Sequence, residues 1–197
     1  MGITSFSIEL LSKYITNDIK SVVELGAQNL YDKSYGNRTP YANEFYENLD
    51  IDYTCIDLNG ENNALKIDLS QDHIVDGQFD LVTDFGTSEH VGTNGRHDIN
   101  AIRNCWATKH KLLKAGGLMI NENPMTGNWP GHGFNYYTIE FYHRLADRQG
   151  YHILDIGVVA AMGNTTDGHN IYCVLKKIDV KPFMSVDEFV ELGIKTS

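Results

Sequence analysis

The stretch Ser21-Val22-Val23-Glu24-Leu25-Gly26-Ala27-Gln28-Asn29 constrains the chain more than any other. A β-branched apolar run reaches an acid and then a glycine, at the point where a strand must turn toward a helix. A glycine at such a turn lets a ligand approach the backbone, because no Cβ stands in the way. The acid ahead of it can accept hydrogen bonds. A chain that opens this way is expected to continue as alternating strands and helices, with polar residues gathered at the carboxyl ends of the strands.

Later segments follow that pattern. Strands are predicted over residues 52–56, ending in Asp57, over 64–67, ending in Asp68, and over 79–85, followed by Gly86-Thr87-Ser88-Glu89-His90-Val91. Phe6, Ile8, Leu10, Leu11, Tyr14 and Ile15 recur at near-helical spacing, which predicts an amphipathic helix ahead of the first strand. A short helix is expected over 41–49. A longer one is expected over 99–113, stopped by Gly116-Gly117, with a fifth strand over 118–120.

Residues 121–137 hold three glycines, two prolines, Trp129, His132 and Phe134 without a clean period, and read as a long loop. Loops of that length in compact domains are usually functional or disordered, and the aromatic content favours a lid. Thr138 is placed to cap a helix running to Gln149. Strands over 151–159 and 171–175 follow, joined by a loop through Gly163 and Gly168. Ser185-Val186-Asp187-Glu188 has capping-box spacing and predicts a short last helix.

Taken together, the pattern predicts one α/β domain over residues 1–197. Its core is a Rossmann-like, doubly wound, mainly parallel seven-stranded sheet with an antiparallel edge strand and helices on both faces. Residues 1–18 form a capping helix, 121–137 a lid, and 181–197 a helical tail. A chain of 197 residues buries roughly 70% of its unfolded surface, so it needs no disulfide or metal to fold. Cys55, Cys105 and Cys173 are widely spaced and lack CxxC pairing, and are expected to be small buried residues.

Charge narrows the function. Sixteen Lys and Arg stand against 26 Asp and Glu, a formal charge of -10, which argues against a nonspecific hold on nucleic acid. No run approaches the ~20 apolar residues of a membrane span, and the start lacks a signal-peptide pattern, so a cytoplasmic location is expected. Asp84, Glu89, His90, Asn121 and Glu122 follow no metal-ligand spacing, and no metal site is assigned to them.

The ordered set of VVELGAQN (22–29), CIDL (55–58), KIDLS (66–70), FDLVTDFGTSEHV (79–91), LLKAGGLMI (112–120) and the closing GYHILDIG and IYCVLKK segments resembles class I S-adenosylmethionine-dependent methyltransferases. The EHV after the fourth strand is similar to the small-molecule, quinone-biosynthesis type. The resemblance implies S-adenosylmethionine as cofactor, with Glu24, Gly26 and Gln28 near its methionine part and Asp57 on the ribose hydroxyls beside Leu58. It places Asp68 on the adenine amine beside Leu69, and Asp84 and Phe85 at the border with the acceptor. The acceptor is expected to be a small molecule among Glu89, Trp129, Phe134 and Tyr136, with His132 and His90 as candidate bases.

The glycines that usually follow Gly26 in this motif are replaced here by Gln28 and Leu30. That departure keeps open an alternative, a methyltransferase-like binding protein without turnover. A nicotinamide-dependent reductase is disfavoured, since Gly26-Ala27-Gln28-Asn29-Leu30-Tyr31 lacks the G-x-G-x-x-G pattern. A base-modifying nucleic-acid methyltransferase is disfavoured by Asp84-Phe85-Gly86-Thr87, where an Asn/Asp-Pro-Pro-aromatic run would be expected.

Overall fold

A computed structural model describes residues 2–73, 78–160 and 168–196. In chain order the elements are β1 (Ile3–Thr4), α1 (Ser5–Tyr14), β2 (Ser21–Leu25), β3 (Leu30–Tyr31), α2 (Asn43–Glu47), β4 (Asp52–Asp57), β5 (Leu65–Lys66) and β6 (Phe79–Phe85). There follow α3 (Ile99–Leu112), β7 (Leu113–Pro124), α4 (Ile139–Gln149), β8 (Tyr151–Ala160), β9 (His169–Lys177) and α5 (Val186–Val190).

Seven strands form one sheet in the order β5-β4-β2-β6-β7-β9-β8. The pairs among the first five positions are all parallel, and β9 runs antiparallel to both its neighbours. The antiparallel strand thus lies one place in from the edge, with β8 outside it. After β5 the chain crosses back past β4 and β2 to lay down β6. The order reverses there, which opens a crevice beyond the carboxyl ends of β2 and β6.

The strand period of two sends alternate residues into separate helix layers. Val23 and Leu25 of β2 and Val82 of β6 join a core with Trp106 of α3, Phe141 of α4 and Phe189 of α5. Val22 of β2 and Leu81 and Phe85 of β6 face the other way, into a core with Leu10 and Leu11 of α1 and Tyr46 of α2. The three cysteines are free and buried.

Side-chain caps fix several helix starts. Thr4 and Ser7 form a capping box at α1, Thr138 accepts from Phe141 N at α4, and Ser185 and Glu188 form a second box at α5. Asp98 receives Asn100 N and Ala101 N at the start of α3.

The structure revises four boundaries. The helix expected over 41–49 is a single short turn, α2. Helix α3 ends at Leu112, ahead of the glycines, and Gly116 takes a left-handed φ of 80° where the pairing of β6 with β7 slips between Phe79 and Leu81. Residues 121–124 belong to β7, because Asn121, Glu122, Asn123 and Pro124 stay in register with Cys173, Tyr172, Ile171 and Asn170 of β9. The loop therefore begins at Met125. The expected helical tail contains only the five residues of α5 in a helix, followed by a bridge from Lys195 to Tyr136. The expected loop position Gly163 lies outside the described residues.

Candidate functional site

A cavity of about 380 Å³ occupies the crevice, a volume within the range of small-molecule sites. The sheet order sets its layout. Ile67, Asp68, Leu69 and Ser70 after β5 line one end, then Ile56, Asp57 and Leu58 at β4, and Gly26, Ala27 and Gln28 after β2. Gly86, Thr87, His90, Val91 and Gly92 after β6 line the other end.

Asp57 is fixed by two turns. One carboxylate oxygen accepts from Ala27 N at 2.9 Å and the other from Asn59 N at 3.0 Å. Each oxygen keeps a second lone pair for a ligand. Beside it Leu58 is 67% exposed, an apolar side chain held open on the cavity wall. Asp68 accepts from Ser70 N at 2.9 Å, and Leu69 is buried against the same wall.

Gly26 has a φ of 80° and donates its N–H to Ile56 O at 2.7 Å. A Cβ at this position would collide with Thr87 Oγ1 and Gln28 Nε2. The space that a glycine leaves for a ligand is thus shared with two side chains of this protein. Gln28 Nε2 donates to Leu25 O at 3.1 Å and Thr87 Oγ1 at 2.9 Å, and Thr87 Oγ1 donates to Leu25 O at 2.8 Å.

Three of the residues expected at the cofactor lie behind this wall. Glu24 is fully buried on the α2 side of the sheet, accepting from Tyr53 Oη at 2.8 Å and Thr83 Oγ1 at 3.3 Å. Burial pushes its carboxyl up to about 8. Phe85 shares that face, in the core with Val22. Asp84 points the opposite way and meets Lys109 Nζ of α3 at 2.8 Å, both side chains fully buried. Burial opposes its charge, but the Lys109 ammonium outweighs it and holds the carboxyl below the usual range. Lys109 also donates to Asn121 Oδ1 at 2.9 Å and lies 3.2 Å from the Trp106 ring centre.

The segment after β6 carries a second cluster. Ser88–His90 form a 3₁₀ turn whose backbone holds the loop that begins at Met125. Glu89 O accepts from Phe134 N at 2.7 Å and Asn135 N at 3.1 Å, and Asn135 Nδ2 donates to Val91 O at 2.8 Å. Gly133 lies so close that a Cβ would sit 2.9 Å from Glu89 O. The expected lid is therefore fastened to the site, and it carries His132 to Glu89. Glu89 Oε1 lies 3.7 Å from His90 Nε2 and 3.9 Å from His132 Nε2. Glu89 is fully buried, and burial together with the nearby Asp84 charge raises its carboxyl to about 8.

The remaining expected acceptor residues lie off the cavity wall. Tyr136 is 3% exposed, and its hydroxyl is tied to Trp129 O at 2.6 Å. Trp129 Nε1 donates to Asn170 Oδ1 at 3.1 Å, and its ring is 5.2 Å from that of His132. Phe134 packs beside Gly92. Sequence alone does not mark Thr87, Lys109 or Asn135 as site residues. Thr87 falls within the FGTSEHV stretch after the fourth predicted strand, whereas nothing local distinguishes Lys109 or Asn135.

No protein-family model matches the sequence, and no curated protein matches it. Solved structures do match. The 1,6-didemethyltoxoflavin-N1-methyltransferase of Burkholderia thailandensis, with bound 1,6-didemethyltoxoflavin and S-adenosylhomocysteine, superposes with a TM-score of 0.58 at 15% identity, over 87% of this chain and 76% of its own. The glycopeptide N-methyltransferase MtfA complexed with S-adenosyl-L-methionine gives 0.57 at 14% identity, over 90% and 95%. The fold is the class I methyltransferase fold. The [4+2]-cyclase SpnF matches as well, with a TM-score of 0.57 at 12% identity over 86% and 79%. The methyltransferase fold alone therefore does not fix the reaction, which depends on the residues of the site.

Proposed function

We propose that this protein binds S-adenosylmethionine and transfers its methyl group to a small-molecule acceptor. The observation that carries the reading is one cavity with Asp57 and Leu58, Asp68 and Leu69, and Gly26 arrayed along one crevice of a methyltransferase fold. Asp57 is suited to accept from a ribose diol and Asp68 from an exocyclic amine. Leu58, Ile67 and Leu69 supply apolar surface for a flat ring between them. The methionine part would lie toward Gly26, Gln28 and Thr87.

The cofactor supplies a methyl group on a positively charged sulfur that is already an activated leaving group. The protein's task is then chiefly to hold an acceptor atom in line, and orientation alone can supply roughly 7–11 kcal/mol. The acceptor would enter at the His90, Val91 and Gly92 end of the cavity. His90 borders that end directly and is the better placed of the two candidate bases, with His132 behind it at a ring separation of 5.0 Å. The EHV resemblance to quinone-biosynthesis enzymes supports a small acceptor there. Among the described residues no helix is long and apolar enough to cross a membrane, in keeping with a cytoplasmic enzyme.

The Gln28–Thr87 bridge favours a second reading, a cofactor-binding protein without turnover, because it draws the ends of β2 and β6 together beside Gly26. Calorimetric titration with S-adenosylmethionine and S-adenosylhomocysteine tests the shared part of both readings. Absence of binding by folded protein would sink both. Transfer of a labelled methyl group to components of a cell extract separates the enzyme from the silent binder.

A further inference from the structure

Glu89, His90 and His132 bring three ligand atoms within 4.8 Å of one another at the acceptor end of the cavity. We infer that this cluster is a divalent-cation site, with Glu89 Oε1, His90 Nε2 and His132 Nε2 as the protein ligands. Two imidazoles and one carboxylate suit first-row transition ions and zinc, and three protein ligands leave coordination positions open.

The case rests on more than composition. Glu89 is fully buried, yet among the described residues its Oε1 has no hydrogen-bond partner, and neither does the buried His132 Nε2. The separations of 3.7 and 3.9 Å exceed hydrogen-bond length, so the imidazoles do not satisfy the carboxylate themselves. An unpaired buried polar atom costs about 1–3 kcal/mol, and more when charged. A cation bound ~2.0–2.2 Å from each atom would satisfy both at once, and would need the Glu89 contacts to the two imidazoles, at 3.7 and 3.9 Å, to shorten by a few tenths of an ångström.

The surroundings also suit a ligand carboxylate. Glu89 Oε2 lies 3.4 Å from Asn123 Nδ2, which donates to it and leaves Oε1 facing the imidazoles. Such support behind a ligand is the usual arrangement at metal sites. The backbone bonds from Phe134 and Asn135 to Glu89 O hold the His132 loop in place, and Gly133 permits its close approach. The site is thus assembled from segments 42 residues apart and kept together without the ion.

Because His90 also lines the cavity, a bound ion would stand beside the space assigned to the acceptor. The Nε2 atoms of His90 and His132 would then be ligands in place of bases, since a coordinated nitrogen has no lone pair left for a proton. Resting on the methyl-transfer reading, this selects acceptors with an oxygen donor, such as a hydroxyl or carboxylate next to the methylated atom. The ion site itself does not depend on that reading.

The test is titration of untagged, chelator-treated protein with Zn²⁺ and, separately, Mn²⁺, with no S-adenosylmethionine present. One ion per chain is expected, with at least 100-fold weaker binding by His132→Ala and by Glu89→Gln. Circular dichroism confirms that each variant is folded, and Glu89→Gln keeps the shape of the buried side chain. Failure of the wild type to bind either ion at one per chain would overturn the proposal, as would binding unchanged in both folded variants. Cofactor binding measured on the same metal-free protein reports separately on the methyltransferase reading.

Discussion

Gln28 Nε2 and Thr87 Oγ1 lie 2.9 Å apart and both donate to the carbonyl of Leu25, so they join the carboxyl ends of β2 and β6 across the crevice. Gln28 stands where the methyltransferase motif ordinarily has a glycine, and its side chain becomes part of the cradle. Gln28→Ala removes two hydrogen bonds that together contribute about 1–2 kcal/mol, since the freed groups face a cavity open to water. Thermal unfolding should fall by a few degrees. Gly26→Ala should do more, because a left-handed φ and collisions with both side chains coincide there. Binding of S-adenosylmethionine unchanged in folded Gly26→Ala would show that the cofactor does not use this turn.

Asp57 bears on cofactor affinity. Asp57→Ala removes an acceptor whose charge-assisted hydrogen bonds contribute roughly 1.5–3 kcal/mol each, so calorimetry should show affinity weakened by about 10-fold or more. Because Asp57 also holds Ala27 N and Asn59 N, Asp57→Asn serves as a gentler control that keeps an acceptor oxygen. Equal affinity in all three proteins would remove Asp57 from the site.

Lys109 and Asp84 predict a stability effect instead. Lys109→Met leaves the Asp84 carboxylate buried without its cation, a change that typically costs about 3–5 kcal/mol. Adding Asp84→Asn should restore much of that loss in denaturant unfolding. Independent, additive losses from the two substitutions would contradict a direct pairing.

Glu24 predicts a pH dependence. Its folded carboxyl is raised from 4.5 to about 8, so between those values the native state keeps a proton that the unfolded chain has lost. Stability from this group is therefore complete below pH 4.5, falls as pH rises toward 8, and is level above that. At about 1.4 kcal/mol per pKa unit the loss is at most roughly 5 kcal/mol. Glu24→Gln should flatten the fall, as measured by urea unfolding from pH 5 to 9. A slope the same in both proteins would assign the dependence elsewhere.

Local chemistry determined much of this fold. Apolar runs, glycine turns and capping residues marked the order of strands and helices, and the acids Asp57 and Asp68 at strand ends marked one wall of the cavity. These signals are short-range, and each can be read from a few neighbouring residues. The facing of Glu24 and Asp84 could not be read that way. Both lie in strands buried on both faces, where no polar alternation reveals which helix layer a side chain meets. Pairing with Tyr53 and Thr83 on one face, and with Lys109 on the other, decides their roles. The meeting of His132 with Glu89 and His90 likewise depends on backbone bonds between segments far apart in sequence. The residues of VVELGAQN named the turn, but only the packed sheet showed that Gln28 reaches across to Thr87 and fills the space where a second glycine would have left an opening.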